Sequence, residues 1–381
     1  MSRKGLTGII LALAAMGVGA VADAGTTTRS TGWCAARSST SWQQVLARHI
    51  VPLSRTTPLH AMAIANDGRS FFTQIYTKRF TGVAEVNAKT GHVTTIKAFP
   101  DPTPALGNEN ADQALGAFDG RWLVWNEYRG ETSFNRFTTW AWDSHTRRLT
   151  RIGASAKGPS GKFWQSPWHG PDVRQGFATW VQGSGADQLT DVHVYDLRTG
   201  RGRVIHTGHA QASFLLADHL VAWPESPKRG AETKMDVASA LTGKRVQAPT
   251  ALRALRGISG LDTDGRRIAY PSAHFKSLWW SPSLQRKPLE ILRASRLHYV
   301  DNGVQIGSRY LGFGIQPRLF VGDTKTRRYV QVSDGYGWTL INTTTLLVSY
   351  GNGNEKSDPI LKIALVPLRD LPPMPACGKS S

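Results

Sequence analysis

Short apolar segments separated by polar turns run along the chain from about residue 60 to residue 368. Apolar and polar positions alternate within these segments, which is typical of β-strands, and no long stretch there has the 3.6-residue period of a helix. Several segments are aromatic and follow an Asp-Gly turn, as expected between paired strands. They read SFFTQI, WLVWNE, FATWVQ, LVAWPE, RIAYPS, YLGFGI and LLVSYG. The pattern predicts an all-β fold.

A hairpin with a polar tip recurs among these strands. VYDLRTGRGRVI, which starts at Val194, is the clearest copy. Equivalent positions in six copies are 90, 146, 199, 242, 285 and 326, so that neighbouring copies lie between 41 and 56 residues apart. A strand repeat of this length is typical of a β-propeller, whose blades each hold four antiparallel strands.

Seven aromatic strands predict seven blades. Their expected spans are about 60–98, 113–152, 173–206, 212–247, 257–292, 299–332 and 337–368. The seventh blade lacks an outer strand, because the prolines that follow residue 368 cannot donate hydrogen bonds to a β-ladder. We expect residues 43–53 to supply that strand, which closes the ring and removes an open sheet edge.

The N-terminus has the pattern of a cleaved secretory signal. Arg3 and Lys4 precede an apolar run that ends in Ala-Asp-Ala at residues 22–24. We expect cleavage near Ala24, a single propeller domain over residues 25–381 and an extracellular location. The alternative is an uncleaved membrane anchor. No later segment is apolar enough to span a membrane, and the signal fits a bacterial protein.

The chain has two cysteines, Cys34 and Cys377, near opposite ends of the mature protein. An exported protein meets an oxidising environment, in which an even pair of cysteines usually bonds. Cys34 precedes the expected outer strand of blade seven, and Cys377 follows the strand beside it. We therefore predict a Cys34–Cys377 disulfide that holds the two ends of the ring together.

The repeat resembles the TolB-like class of propellers, in which a strand after Asp-Gly-Arg is followed by a further strand and a D-x-x-T-G hairpin. FDGRWLVW with AWDSHTRR, and FATWVQ with VYDLRTGRG, carry the resemblance. Units four to seven depart from it, since Ser239 and Pro282 replace the aspartate. The resemblance implies the fold and not an activity, because such propellers serve as protein-binding scaffolds, peptidase accessory domains and carbohydrate enzymes.

Strand order assigns the loops of a propeller to two faces. The hairpin face collects the turns between the first and second strands and between the third and fourth strands. The long-loop face collects the loops between the second and third strands and the links between blades. Basic residues are expected to crowd the hairpin face: Arg69, Lys89, Arg121, Arg147, Arg148, Arg198, Arg201, Arg203, Lys244, Arg245, Arg266, Arg267, Arg286, Lys287, Lys325, Arg327 and Arg328.

The formal net charge of +19 favours anionic partners in general. The alternative is that polar hairpin tips serve solubility only. No aromatic residues alternate with the arginines at the tips, so nucleic acid suits this face less well than an anionic cell-wall polymer or lipid surface does.

The long-loop face has the longest loops, at residues 99–113 and 153–172, and binding residues concentrate in loops beside rigid blades. Tryptophans with carboxylates suit sugar binding, and two suitably spaced carboxylates could hydrolyse a glycosidic bond. Each candidate also has a structural interpretation, such as covering a blade edge or pairing with an arginine. The candidate ligand-binding residues are Glu127, Trp164, Trp168, His169, Asp172, Gln182 and Glu225.

No catalytic residue is predicted. The chain has no G-x-S-x-G motif, no Gly-rich phosphate loop and no metalloprotease motif. His206 and His209 form the one close histidine pair, but no cysteine or carboxylate pair lies beside them in sequence, so we expect no metal and no cofactor.

The sequence predicts a secreted, monomeric binding propeller. Its ligand is expected on the long-loop face, its hairpin face is expected to touch an anionic surface, and its partner is a cell-wall polymer, a glycan or a protein. One alternative is a polysaccharide-active enzyme, a glycoside hydrolase or lyase, with Glu127 and Glu225 near the mouth of the propeller. The other is a purely structural envelope protein.

Overall fold

Seven separate antiparallel β-sheets follow one another along the chain, which confirms the seven-bladed propeller. The computed structural model describes residues 32–36, 40–53, 59–76, 81–99, 113–128, 135–167, 169–226, 233–258, 260–272, 274–294, 299–300, 303–315, 318–335, 337–350 and 362–377. The predicted signal peptide, residues 1–24, lies outside these ranges. Within them, no helix has the length and apolar character that crossing a membrane requires.

The strands of each blade pair in sequence order, from an inner first strand to an outer last one. Blade one contains Leu59–Ile64, Ser70–Tyr76, Thr81–Asn87 and Val93–Ala98. Blade two contains Gln113–Phe118, Trp122–Tyr128, Phe137–Asp143 and Leu149–Ala154. Blade three contains Asp172–Arg174, Phe177–Gly183, Thr190–Asp196 and Arg201–Gly208.

The later blades are less regular. Blade four contains Phe214–Leu215, Leu220–Glu225 and Lys234–Ser239. Blade five contains Asp262–Thr263, Ile268–Pro271, Ser277–Ser281 and Leu289–Arg293. Blade six contains Gln305–Gly307, Tyr310–Ile315, Arg318–Asp323 and Arg328–Ser333. Blade seven contains Gly337–Ile341, Thr345–Tyr350 and Lys362–Pro367.

Helices are few and short in the described part of the chain. The α-helices are Thr40–Arg48 and Thr250–Arg253, and the 3₁₀ turns are Ala186–Gln188, Ala217–His219 and Leu368–Asp370. Helix Thr250–Arg253 packs against the third strand of blade four, where its Leu252 is fully buried. The helix follows a short stretch, around Arg245 and Val246, that pairs with the third strand in place of a regular fourth strand.

The inner strands form a closed ring. Each first strand contacts the first strand of the next blade, and Gly337–Ile341 of blade seven contacts Leu59–Ile64 of blade one. Between neighbouring blades the sheets bury apolar side chains such as Trp125 and Trp223, which are fully inaccessible. The apolar positions of the alternating strands thus face the adjacent blades, as expected for this fold.

Hairpins with a D-x-x-T tip are turns stabilised by their own aspartates. Asp143, Asp196 and Asp323 each accept a hydrogen bond on Oδ1 from the backbone N–H two residues further on, at 2.9–3.0 Å. Gly200 then adopts a φ of +71°, which glycine tolerates far better than other residues. The recurring motif is therefore a turn device that directs the tip side chains outward.

The N-terminal segment closes the ring differently from the expected strand over residues 43–53. Its first part is the helix Thr40–Arg48, because Trp42, Val45 and Leu46 recur at helical spacing and are all buried. Only after the helix does the chain pair with the edge of blade seven, through an antiparallel bridge between Ile50 and Ala364. A helix and a short extended stretch thus replace the single strand.

The same segment also reaches blade six. Cys34–Ala35 forms a short strand parallel to Arg328–Ser333, the outer strand of that blade. The predicted disulfide is confirmed: Cys34 and Cys377 are bonded, with their Cα atoms 5.8 Å apart. Because the bond joins residues 343 positions apart, it ties the N-terminal segment to the C-terminal tail beside blades six and seven.

The disulfide should contribute measurably to stability. We expect the Cys34→Ser/Cys377→Ser double variant to lose about 3 kcal/mol of unfolding free energy in urea, since the bond restricts the unfolded chain. A reducing agent should destabilise the wild type similarly and leave the double variant unchanged. Free thiols in the intact mass of the oxidised, alkylated protein would contradict the bond.

Candidate functional site

The end of the link between blades two and three, residues 153–172, is held by buried polar side chains of blade two. The hydroxyl of Tyr128 donates to the carbonyl oxygen of His169 at 2.9 Å, and the amide of Asn126 donates to the same oxygen at 3.3 Å. Asn126 in turn accepts a hydrogen bond from Thr139 at 2.8 Å. Burial raises the pKa of Tyr128 to about 12, so its hydroxyl remains a donor at neutral pH.

The middle of the link is anchored as well. The backbone N–H of Ser166 donates to Asn135 Oδ1 at 3.2 Å, and the Ser166 hydroxyl accepts from the backbone N–H of Gly183 at 2.9 Å. The backbone N–H of Trp164 donates to the carbonyl of Ala156 at 3.0 Å. These contacts tie the link to blades two and three, so it is a fixed surface on the long-loop face.

The predicted tryptophans and glutamine of this region have separate surroundings. Trp164 is half-buried and packs closely on Gly158, where a Cβ atom added to the glycine would lie 2.8 Å from indole Cζ2. Trp168 lies outside the described residues. Gln182 is buried at the end of the second strand of blade three, opposite Asp191. Of the two tryptophans predicted to contact a ligand, Trp164 is therefore the one whose surroundings the structure describes.

His169 and Asp172 both meet the inner strand of blade four. The His169 imidazole lies edge-on to the ring of Phe214 at 5.2 Å, and burial lowers its pKa, which favours the neutral form. Asp172 Oδ2 accepts a hydrogen bond from the backbone N–H of Leu215 at 2.7 Å. These two predicted residues are thus brought together, and both position the long-loop face against blade four.

Glu127 forms an ion pair between blades. Its carboxylate is fully buried, and Oε2 lies 2.9 Å from Nζ of Lys97, which comes from the outer strand of blade one. The Lys97 ammonium also lies 4.8 Å from the centre of the Trp140 ring. Glu127 therefore faces the neighbouring blade, with its carboxylate bound to a cation.

Glu225 belongs to a chain of charged and polar groups between blades three and four. Its Oε2 lies 2.8 Å from Nε2 of His206, and its Oε1 accepts the backbone N–H of His209 at 3.0 Å. Arg245 donates to Nδ1 of His206 at 3.0 Å and pairs with Asp236 at 3.1 Å. Burial pushes the pKa of Glu225 upward, but the hydrogen bonds from His206 and His209 outweigh it and leave the pKa below its usual value.

A row of polar groups links the inner strands of blades three to six. Arg174 of blade three donates to the carbonyl of Leu215 at 3.0 Å and to the carbonyls of Thr263 and Asp264, both at 2.7 Å. Asp262 of blade five accepts the backbone N–H of Ile306 in blade six at 2.5 Å. These side chains therefore connect the short inner strands of blades three to six.

The inner-strand carboxylates have raised pKa values. Burial and the charge of Asp172 raise the pKa of Asp262 to about 7. Burial also raises the pKa of Asp172, although the nearby Arg174 opposes the shift. Sequence reasoning did not identify Arg174 or Asp262, whose partners lie in other blades. The only local signal is that Asp172 and Asp262 each begin an inner strand.

The hairpin face carries both paired and exposed cations. Arg121 pairs with Asp143 at 2.7 Å, and its hydrogen bond lowers the pKa of that carboxyl to about 2. Arg147 pairs with Glu85 of blade one at 3.1 Å. Exposed basic residues remain at the tips of several blades, among them Lys89, Arg148, Arg201, Lys244 and Lys325. In the described part of the chain, no group of three or more histidines, cysteines or carboxylates could hold a metal ion.

Comparisons with known proteins show the fold and no more. No protein-family model matches the chain, and no curated protein matches it. A prolyl endopeptidase structure is similar with a TM-score of 0.55 and 12% identity, over 89% of this chain and 50% of that one. The chain thus spans half of that enzyme's length.

Two further structures extend the comparison. An uncharacterized protein of Listeria monocytogenes has a TM-score of 0.51 and 11% identity, over 79% of this chain and 91% of that one. TolB of Acinetobacter baumannii has a TM-score of 0.37 and 15% identity, over 63% of this chain and 56% of that one. The seven-bladed propeller is the kind of fold that the TolB-like resemblance of the sequence implies.

Removing the buried charge of Glu127 should destabilise the fold. Glu127→Gln leaves Lys97 in a largely buried position without its carboxylate, and we expect a loss of about 3 kcal/mol in urea unfolding. Adding Lys97→Met should recover most of that loss, because the unpaired cation is removed. Glu225→Gln, at a more exposed pair, serves as the control with a smaller effect. A Glu127→Gln loss as small as that of the control would contradict a buried ion pair.

Stability should fall as the pH rises through the titration of Asp262. Its folded pKa of about 7 lies above the ordinary value of 3.8. Between pH 3.8 and pH 7 the folded state therefore keeps the proton that the unfolded state releases, and stability falls as the pH rises through this range. We expect the melting temperature of Asp262→Asn to fall less between pH 5 and pH 8 than that of the wild type. The asparagine oxygen can still accept the Ile306 N–H. Equal pH dependence of the two proteins would show that Asp262 ionises normally.

Proposed function

We propose that this chain is an exported binding protein whose ligand contacts the long-loop face. The observation that carries the proposal is the anchored link at residues 153–172. Its backbone is held by Tyr128, Asn126 and Asn135, while its surface residues stay accessible. A surface that is already ordered loses little conformational entropy on binding, so its contacts contribute more fully to affinity.

The surroundings of the two predicted glutamates support binding rather than catalysis. A glycosidase needs one carboxyl group to transfer a proton and a second to act as base or nucleophile on the same substrate. Glu127 is instead buried against Lys97 of blade one, and Glu225 is bound by His206 of blade three. Each carboxylate thus has a structural role, and each faces the outer strand of a neighbouring blade.

The hairpin face is proposed to touch an anionic surface. Its exposed tip cations, such as Lys89, Lys244 and Lys325, lie on separate blades of one face. Contacts between exposed charges weaken as salt is added, so this association should be sensitive to ionic strength. The Cys34–Cys377 disulfide fits a non-cytoplasmic location, and together with the signal-like N-terminus it supports an exported protein.

Replacing Trp164 should weaken ligand binding selectively. We expect the purified wild-type protein to be retained by a subset of glycans on an array, and Trp164→Ala to bind them about tenfold more weakly. That factor corresponds to about 1.4 kcal/mol, the size of one aromatic contact. Trp122→Ala is the matched control, since Trp122 is also half-buried but lies at the hairpin end of its strand.

Equal losses in the two tryptophan variants would contradict a ligand on the long-loop face. The same glycans also test the enzyme alternative. Release of shortened products by the wild type, lost in a folded Glu225→Gln variant, would replace the binding proposal with a polysaccharide-active enzyme. Neither retention nor turnover would favour the structural envelope protein.

A further inference from the structure

Two cations meet at one aromatic ring on the long-loop face. Arg136 precedes the third strand of blade two, and its guanidinium carbon lies 6.0 Å from the centre of the Phe163 ring. Lys157, in the link to blade three, has its ammonium 5.1 Å from the same centre. The electron-rich face of the ring attracts each cation and holds the two like charges in one region.

A small hairpin fixes the position of Lys157. Lys157 and Phe163 form an isolated antiparallel bridge, and the backbone N–H of Gly158 donates to the carbonyl of Lys162 at 2.8 Å. The turn is completed by Gly161, whose φ of +77° lies in the left-handed region. Lys162 is exposed in the same hairpin, which therefore carries a further positive charge.

These cations have no acidic counterpart among the residues that the structure describes. No described carboxylate forms an ion pair with Arg136, Lys157 or Lys162, whereas Arg121 and Arg147 on the hairpin face each have one. Arg136 and Lys157 are both exposed. The site is therefore an accessible concentration of positive charge that the described carboxylates leave unbalanced.

A half-buried tryptophan belongs to the same hairpin as Lys157. Trp164 directly follows Phe163, is half-buried and packs on Gly158 of the hairpin. The backbone N–H of Trp164 donates to the carbonyl of Ala156, so that Trp164 and Lys157 belong to one hydrogen-bonded hairpin. Aromatic rings accept the apolar face of a pyranose, while guanidinium groups bind carboxylates in a planar, two-pronged manner.

From this combination we infer that Arg136 and Lys157, beside Trp164, form a subsite for an acidic polysaccharide of uronic-acid units. The sugar carboxylate contacts the two cations and the pyranose ring lies against the indole. The inference rests on the proposed function, because it names the ligand class of the long-loop face. It also places specific anion recognition on the face opposite the basic hairpin tips.

The chemistry of the site favours a sugar over nucleic acid. Single-stranded nucleic acid is bound by several aromatic platforms that stack successive bases along a basic groove. Here the Phe163 ring already contacts two cations, which leaves Trp164 as the aromatic surface among the described residues of this link. One aromatic surface with two converging cations matches a single uronate unit.

Isothermal titration calorimetry with an alginate hexasaccharide tests the inference. We expect binding that weakens with salt, and a loss of at least tenfold in affinity in both Arg136→Gln and Lys157→Gln. Arg309→Gln is the matched control and should bind within twofold of the wild type. Arg309 is also exposed and lies 4.9 Å from an aromatic ring, that of Tyr310, but it belongs to a turn of blade six on the hairpin face. Thermal unfolding of each variant confirms folding.

Two further ligands, neutral cellohexaose and single-stranded DNA, distinguish an error in the inferred ligand class from an error in the proposed function. One contrary result is that the wild type binds neutral cellohexaose, with binding lost in Trp164→Ala but not in Arg136→Gln. That result would overturn the inference of an acidic ligand, while the proposal of a binding protein would stand. Preference for single-stranded DNA over alginate, or an equal loss in Arg309→Gln, would also overturn the inference. Absence of binding to every carbohydrate on the array would overturn both proposals.

Discussion

The propeller depends on closure of its ring, because each blade buries both faces of its sheet only if it has a neighbour on either side. Blade seven meets blade one through the inner strands Gly337–Ile341 and Leu59–Ile64. Around the outside, the helix Thr40–Arg48 inserts Trp42 into the apolar cluster shared by blades six and seven. The Cys34–Cys377 bond then joins this segment to the C-terminal tail. A covalent bond and a helix thus protect the junction at which the ring could open.

Much of this architecture could be predicted from local sequence. The blades repeat a turn whose aspartate binds its own backbone, so motifs such as VYDLRTG mark the hairpins without any knowledge of the fold. The position of the ring closure could also be predicted, because only the two chain ends carry cysteines. The helix Thr40–Arg48 could not be predicted in the same way. Its apolar residues Trp42, Val45 and Leu46 span little more than one helical turn, and the segment that follows them is extended.

The candidate site was less predictable, because its interactions join residues from different blades. Glu127 and Glu225 lie at the ends of second strands, but their partners, Lys97 and His206, belong to the outer strands of the preceding blades. No local pattern shows such pairs. The contact of Arg136 with Phe163 similarly joins the loop before the third strand of blade two to the link that follows the blade. Long-range packing therefore decides which polar residues are structural and which remain accessible.

Hydrogen–deuterium exchange across residues 153–172, with and without the alginate hexasaccharide, shows whether this link is an ordered binding surface. We expect the hydrogen-bonded amides of Gly158, Trp164 and Ser166 to exchange slowly in the free protein and more slowly with the sugar. Exchange at the rate of an unstructured peptide, unaffected by the sugar, would contradict that expectation.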